Sequence, residues 1–254
     1  MYPLKFEPLL KSVVWGGDKI VPYKGIESTA KNVGESWELS AVSSNESVVA
    51  NGEFAGRNIV ELIKEYKADL LGEKVYAESG DTFPILVKFI DARDDLSIQV
   101  HPDDELAAAR HNGSKGKTEM WYVVKTDEGA HLMSGMSQKI TPEEYVRRIE
   151  ENTITDVLCD YKTSYTPELN KPVSLVECNY FKTHLLDLME TVEVPVKVND
   201  SFMILICLEG AGALTDSNGY ELDLKQGETV LVPAVTDGIT FTPQHQLKIL
   251  TCWI

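Results

Sequence analysis

The C-terminal third of the chain alternates short apolar runs with turns, and this pattern limits the folds that it can adopt. The runs are Phe202–Gly210, Gln226–Ala234 and Leu247–Ile254, with clusters of Gly, Asn and Asp in the region. Short strands separated by such turn residues are typical of small β-barrels. The pattern therefore predicts that residues 163–254 form a complete small barrel.

Composition narrows the class of protein. A chain of 254 residues can bury one large core or two small ones, and 43% hydrophobic with 25% charged residues is typical of a globular protein. The formal net charge of −16 argues against nucleic acid or an anionic membrane as a partner, because both would be repelled. An anionic ligand would have to be bound by local cations.

The cysteines and the first residues bear on the compartment. The cysteines are widely spaced, without a C-x-x-C pair, and we expect reduced thiols in the cytoplasm. Lys5, Glu7 and Lys11 interrupt the apolar residues near the start, so we expect no secretion signal there, and no apolar stretch is long enough for a membrane span. The cysteines are Cys159, Cys178, Cys207 and Cys252.

A metal site is predicted around His101. Side chains alternate along a strand, so Gln99 and His101 would share one face of a strand that ends at Pro102. A following strand would bring Glu119 to the same place. Gln, His and Glu form a mixed nitrogen and oxygen set suited to zinc or another divalent first-row metal. A single His at a strand end is nevertheless more often a hydrogen-bonded structural residue.

Several motifs carry a family resemblance that changes this balance. They are Val14–Gly17, Gly34–Ser40, Phe83–Ala92, Leu96–Pro102 and Gly116–Tyr122. On these motifs the chain resembles the type I mannose-6-phosphate isomerases, which are zinc-dependent proteins of the cupin superfamily. The resemblance extends from the N-terminus to about Tyr161 and resumes, more weakly, from about Thr163. It implies one zinc ion per chain, with Gln99, His101 and Glu119 as ligands.

Three further residues are candidates for contacting the substrate. Lys88 interrupts the strongly apolar predicted strand Thr82–Ala92, and such a lysine must pair, snorkel or face a polar cavity. The resemblance implies a substrate contact, whereas a salt bridge with one of the nearby aspartates, Asp91, Asp94 or Asp95, is equally compatible. Ser97 would share the face of Gln99 and could donate to the sugar, its phosphate or its neighbours. Lys117 would face the site beside Glu119, as a substrate-binding or acid–base residue or as a balancing charge.

The sequence also predicts three helices, two of which begin at a recognisable N-cap, while the third begins with acidic residues. Asn58 caps the first, which ends before Gly72, and Thr141 caps the last, with Pro142 at its first position. The helices are Asn58–Leu71, Asp103–Arg110 and Thr141–Asn152.

The resemblance then breaks near Lys162. In the family, closing strands here deliver a further metal-binding histidine and a phosphate-binding arginine, but this sequence has neither residue type between Arg148 and His184. The expected fold is mainly β with a few helices, in two cupin-like jelly-roll barrels. Residues 1–162 would form the metal-site barrel, incomplete by its closing strands, and residues 163–254 a barrel without metal ligands.

The resulting functional prediction is an enzyme. It would be a zinc-dependent aldose–ketose isomerase that interconverts mannose 6-phosphate and fructose 6-phosphate in the cytoplasm. Its partner would be a small sugar phosphate, without nucleic acid or membrane, and a homodimer is a possible assembly. The alternative is a shortened cupin that binds metal or sugar phosphate and is catalytically weak or inactive.

Overall fold

The computed structural model describes residues 1–159 and 163–254, and the fold is mainly β with a few helices. The predicted break near Lys162 lies outside the described residues. Strands and helices are numbered separately in chain order. The strands are β1 Leu4–Lys5, β2 Leu9–Ser12, β3 Val33–Leu39, β4 Val87–Ile90, β5 Pro172–Glu177, β6 Lys182–Leu188, β7 Val192–Pro195, β8 Met203–Asp216, β9 Glu221–Lys225, β10 Thr229–Val232 and β11 Gly238–Trp253. The helices are α1 Ile20–Lys24, α2 Ile59–Leu71, α3 Glu73–Ser79, α4 Asp104–Arg110 and α5 Pro142–Glu150.

The strands form two sheets. An eight-stranded sheet has the order β1-β10-β8-β11-β6-β5, with β7 paired to β11 and β9 paired to β8. A three-stranded antiparallel sheet has the order β2-β3-β4. The long strands β8 and β11 pair with each other at the centre of the larger sheet, with Leu250 opposite Ile206.

The predicted barrel closure is not confirmed. Among the described strands, the path of the larger sheet begins at β1 and ends at β5, and these two strands do not pair with each other. The prediction placed strands by their apolar runs, whereas closure depends on which strand edges meet. The N-terminal strand β1 adds to this sheet, with Leu4 opposite Leu231.

Helix α2 confirms the first helix prediction. The side chain of Asn58 accepts a hydrogen bond from the backbone N–H of Glu61 at 2.9 Å, and Gly72 follows the last helical residue. Its apolar face is fully buried in a core that also contains residues of β1 and β8. Helices α4 and α5 lie within the other two predicted segments. The buried residues of α2 are Ile59, Leu62, Ile63, Leu70 and Leu71.

Two strand predictions need correction. Only Val87–Ile90 of the predicted strand Thr82–Ala92 is a strand, and β4 is the last strand of the smaller sheet. The residues around Gln99 and Glu119 are irregular chain, so the predicted strands there are wrong. A strand requires a hydrogen-bonded neighbour, and no described strand pairs with either segment. Val100 is accordingly 70% exposed.

The described residues divide into two compact units. One contains residues 1–120 and 167–254, and the other contains residues 121–159 and 163–166, with α5 as its helix. The predicted boundary between residues 162 and 163 involves residues outside the described part and stays a prediction. In the described ranges, no helix has the length and apolarity that a membrane crossing requires.

Candidate metal and substrate site

Three predicted site residues lie in direct contact. His101 Nε2 is 3.0 Å from Glu119 Oε1, although the two residues are 18 positions apart in the chain. Lys117 Nζ is 3.2 Å from His101 Nε2 and 3.0 Å from Glu119 Oε2. The structure therefore brings an imidazole, a carboxylate and an ammonium group into mutual contact, and all three belong to residues 1–120.

A short helix and a loop return the chain to the His101 segment. Helix α4 begins directly after the His101-Pro102 segment, and Asp103 caps it by accepting from the N–H of Leu106 at 2.8 Å. The N–H of Lys117 then donates to the carbonyl of Pro102 at 3.2 Å. The loop after α4 therefore returns the chain to the residue beside His101.

Gln99 and Ser97 lie on the exposed segment just before His101. The Gln99 Nε2 donates to Ser97 Oγ at 3.1 Å. This contact uses the amide nitrogen, so the amide oxygen, which is the atom that would bind a metal, is not the atom engaged with Ser97. Both side chains are exposed.

The charges of the cluster favour an ionised Glu119. Burial acts to raise the pKa of its carboxyl group, but the hydrogen bonds from Lys117 and His101 outweigh burial, and the pKa is lowered. A carboxylate that stays deprotonated is the form that binds a cation. The same bonds show that Lys117 balances the charge of Glu119.

The donor set fits a divalent metal in chemistry but is incomplete in geometry. Zinc bonds are about 2.0–2.2 Å long to His nitrogen and carboxylate oxygen, so two such donors on one tetrahedral ion lie about 3.3 Å apart. The 3.0 Å separation of His101 Nε2 and Glu119 Oε1 is close to that spacing. Over residues 1–159 and 163–254, however, no three His, Cys, Asp or Glu side chains form a group that could hold a metal ion. A third ligand would have to come from an amide such as that of Gln99, or from water.

Lys88 forms an ion pair, and its partner differs from the predicted aspartates. Its Nζ lies 3.2 Å from Glu35 Oε1 on the neighbouring strand β3 and 4.5 Å from the centroid of a Trp37 ring. Trp37 lies opposite Lys88 in the β3–β4 ladder, and Glu35 shares the face of Trp37. Alternation alone could not have identified this partner, because it does not show that β3 and β4 pair. Lys11 also lies against Trp37, with its Nζ 5.1 Å from a ring centroid.

The opposite face of β3 holds a buried ion pair that the sequence analysis missed. Lys24 Nζ lies 2.8 Å from Glu38 Oε2, and the side chains of both residues are 4% exposed. Ser36 Oγ donates to Glu38 Oε1 at 2.6 Å, and Lys24 also donates to the carbonyl of Gly227. These contacts join α1 and β3 to the turn before β10, so they stabilise the packing of α1 and β3 against the larger sheet.

Comparison with known proteins supports one family. The family model for the catalytic domain of type I phosphomannose isomerase matches residues 4–120, and the model for the mannose-6-phosphate isomerase cupin domain matches residues 171–250. A probable mannose-6-phosphate isomerase of Bacillus subtilis is 39% identical over 149 residues, which are 59% of this chain and 45% of that protein. The chain thus spans about half the length of the curated relatives that it matches.

Solved structures show the same fold. The mannose 6-phosphate isomerase from Bacillus subtilis superposes with a TM-score of 0.86 at 22% identity, covering 100% of both chains. A zinc-bound mannose 6-phosphate isomerase superposes with a TM-score of 0.66 at 15% identity, covering 98% of this chain and 99% of that one.

The two family models occur in chain order and between them match most of the sequence, including the segments that carry His101, Lys117 and Glu119. The chain belongs to the type I phosphomannose isomerase family.

Proposed function

We propose that the protein is a metal-dependent aldose–ketose isomerase that interconverts mannose 6-phosphate and fructose 6-phosphate. The observation that carries the proposal is the contact of His101 Nε2 with Glu119 Oε1 at 3.0 Å, with Lys117 touching both side chains. This cluster lies within the residues that match the catalytic-domain model. Its chemistry suits the reaction, because isomerisation needs both oxyanion stabilisation and proton transfer.

The proposed metal ligands are Gln99, His101 and Glu119, with zinc as the metal. A divalent cation bound there supplies Lewis-acid stabilisation of negative charge on the substrate oxygens. Three protein ligands with water as the fourth are common at catalytic zinc sites. The lowered pKa of Glu119 supports its role, since this side chain is ionised at neutral pH.

The remaining residues bind and orient the sugar phosphate. Lys117 is the proposed acid–base residue, because its ammonium group lies beside the ligands and can donate a proton to the carbonyl oxygen of the substrate while a base removes the proton from the neighbouring carbon to give the enediol. Lys88 and Ser97 are proposed to donate to phosphate and hydroxyl groups. Lys88 would have to exchange or share its bond to Glu35, which is 3.2 Å away. Local cations matter here because the chain carries a net charge of −16.

A second candidate function is binding of metal or sugar phosphate with weak or no turnover. Two observations favour it: the side chains of Lys117 and Glu119 are 52% and 37% exposed, and no described group of three classical ligands surrounds His101. Catalytic groups act more strongly where water is excluded. An exposed site can bind zinc and still catalyse poorly.

A coupled assay tests the proposal directly. Conversion of mannose 6-phosphate to fructose 6-phosphate is measured with and without added zinc, on full-length chain whose intact mass has been checked. We expect zinc-dependent turnover. Glu119→Gln removes a charged ligand and should lower both zinc affinity and turnover at least about tenfold, because metal sites depend on ligand charge.

Glu105→Gln is the matched control. Glu105 is an exposed carboxylate in α4, and its loss should leave zinc affinity and turnover within about twofold, as expected for a surface change. Zinc binding without turnover would establish the second candidate function. Absence of both from a folded chain would contradict the metal site and the isomerase proposal.

The proposal also covers the fold of the C-terminal part, the cellular location and the assembly. We propose that the residues matching the cupin-domain model form a jelly-roll that lacks metal ligands and has a structural role. We further propose that the protein works in the cytoplasm, and that a homodimer is its possible assembly. Light scattering at micromolar concentration measures the assembly.

A further inference from the structure

The carboxylate of Asp104 connects three parts of the chain. Its Oδ1 accepts from the backbone N–H of Gly116 at 2.8 Å, and its Oδ2 accepts from the hydroxyl of Tyr180 at 2.9 Å. Asp104 is the first residue of α4, Gly116 ends the loop after that helix, and Tyr180 lies in the turn between β5 and β6. One side chain therefore ties the start of α4 to the returning loop and to the larger sheet.

These contacts lie at the two ends of the segment that connects His101 to Glu119. Asp104 is three residues after His101, and Gly116 is three residues before Glu119. The segment between them consists of helix α4 and the exposed loop residues 111–115, and an exposed loop adopts many conformations unless its ends are held. The spacing of His101 and Glu119 therefore depends on the contacts that hold the end of this loop against the start of α4. The Asp104–Gly116 hydrogen bond is one such contact, and the bond from Lys117 N–H to the Pro102 carbonyl is another.

Close approach of the backbones makes the contact specific to glycine. A Cβ atom at Gly116 would lie 2.6 Å from the carbonyl carbon of Asp103 and 2.7 Å from the backbone nitrogen of Asp104. Both are backbone atoms at a helix start, which cannot move aside cheaply. Only glycine lets the loop approach closely enough for its N–H to reach the carboxylate.

We infer that Asp104, Gly116 and Tyr180 form a latch, in which Asp104 and Tyr180 are positioning residues that hold Glu119 and Lys117 at the correct distance from His101. The inference rests on the proposed function where it concerns metal binding. The latch itself acts on the metal-free chain.

The protonation states of Asp104 and Tyr180 are consistent with these hydrogen bonds. The hydrogen bond from Gly116 N–H, followed by that from Tyr180, lowers the pKa of Asp104. The bond to Asp104 is in turn the first cause that raises the pKa of Tyr180. Asp104 is therefore a carboxylate and Tyr180 a neutral donor at neutral pH, as the two hydrogen bonds require.

The neighbouring aspartate supplies a matched control. Asp103 caps the same helix through Leu106 N–H at 2.8 Å and is the residue immediately before Asp104. Removing Asp103 tests helix stability, and removing Asp104 tests the latch. A difference between the two variants separates positioning from a general structural effect.

The experiment uses full-length chain with four substitutions: Asp104→Ala, Asp104→Asn, Tyr180→Phe and Asp103→Ala. Hydrogen exchange of peptides containing residues 116–119 is measured without metal, and the zinc dissociation constant is measured by calorimetry. Asp104→Ala should accelerate exchange and weaken zinc binding about 10–100-fold, the usual effect of losing a group that orients metal ligands. Tyr180→Phe should act in the same direction and less strongly.

Asp104→Asn should restore most of both properties. Its amide oxygen can accept from Gly116 N–H while its amide nitrogen donates to the Tyr180 oxygen. Asp103→Ala should lower thermal stability but leave zinc affinity within about threefold, because a lost cap acts on the helix.

Four outcomes decide the inference. Unchanged exchange and unchanged zinc affinity in Asp104→Ala would overturn it, and so would an equal loss of zinc affinity in Asp103→Ala. If Asp104→Ala does not fold, Tyr180→Phe and Asp104→Asn decide by the same readouts. If the unsubstituted protein binds no zinc, the proposed function fails, and the exchange rates alone then support or overturn the latch.

Discussion

At the scale of single residues, the buried pair of Lys24 and Glu38 shows how the scaffold depends on charge. Burial is the largest influence on Glu38 and raises its pKa, while Lys24 acts to lower it. The two side chains are 4% exposed, so each charge relies on the other for solvation. Removing one partner would leave the remaining charge buried without compensation.

We predict that Lys24→Met lowers the free energy of unfolding by about 3–5 kcal/mol, because an unpaired carboxylate is left in the interior. The loss should shrink as the pH falls. Without Lys24 to lower it, the folded-state pKa of Glu38 rises further. At low pH Glu38 is then protonated and neutral, and its burial no longer opposes folding. Urea denaturation at several pH values measures both effects.

The surface pair Lys197–Asp237 is the control for this prediction. Its side chains are 62% and 73% exposed, with Nζ and Oδ1 3.1 Å apart. Lys197→Met should cost less than about 1 kcal/mol, as exposed pairs do. Equal losses in the two variants would contradict the argument from burial.

Thiol reactivity follows from burial in the same way. Burial raises the pKa of Cys207 to about 12 and that of Cys252 to about 11. Because the thiolate is the reactive form, we predict that iodoacetamide at pH 8 modifies both residues at least about tenfold more slowly than the less buried Cys159 and Cys178. Mass spectrometry of the native protein over time measures this. Equal rates at all four sites would contradict the burial of the two thiols.

At the scale of elements, helix α2 gives a local test. The Oδ1 of Asn58 accepts from Glu61 N–H at 2.9 Å. We predict that Asn58→Ala lowers the free energy of unfolding by about 0.5–2 kcal/mol, the usual cost of losing a cap, whereas Asn58→Asp retains the acceptor and loses only a few tenths. Denaturation of the two variants beside the unsubstituted protein measures the difference. A similar loss in both would show that the cap does not act through this bond.

Helices α2, α4 and α5 were predictable because their signals are local, whereas α1 and α3 were not predicted. Asn58, Asp103 and Thr141 each accept a backbone hydrogen bond at the start of their own helix, within three residues in the sequence. The strand predicted around Gln99 failed for the complementary reason. Apolar alternation shows which side chains could be buried, but a strand also needs a hydrogen-bonded partner strand. The sequence does not show which remote segment supplies that partner.

The candidate site was also predictable where its contacts are local and not where they are remote in sequence. The proximity of His101, Lys117 and Glu119 agrees with the motif spacing, because a short helix and loop connect them. The pairing of Lys24 with Glu38 was not predictable, since Lys24 is the last residue of the short helix α1 and its burial depends on the remote turn at Gly227. Tertiary contacts of this kind leave no periodic signal in either segment.

At the scale of the whole molecule, residues 1–120 and 167–254 fold as one compact unit. The N-terminal strand β1 pairs with β10, so Leu4 lies opposite Leu231 across more than two hundred residues of sequence. A single buried cluster contains Leu4, Leu62 of α2 and Phe202 next to β8. The early and late parts of the sequence therefore depend on each other for burial.

This interdependence gives the last prediction. Leu4 is 0% exposed, and Leu4→Ala should lower the free energy of unfolding by about 2–5 kcal/mol, the cost of truncating a buried leucine. Because the core is shared, fluorescence of Trp37 in β3 and of Trp253 in β11, observed in single-tryptophan variants, should shift to lower denaturant together. Val14→Ala, at a side chain that is 89% exposed, is the control and should cost less than about 0.5 kcal/mol. If Leu4→Ala shifts only the Trp253 transition, the two ends of the sequence unfold independently, and a domain boundary near residue 162 becomes the better description.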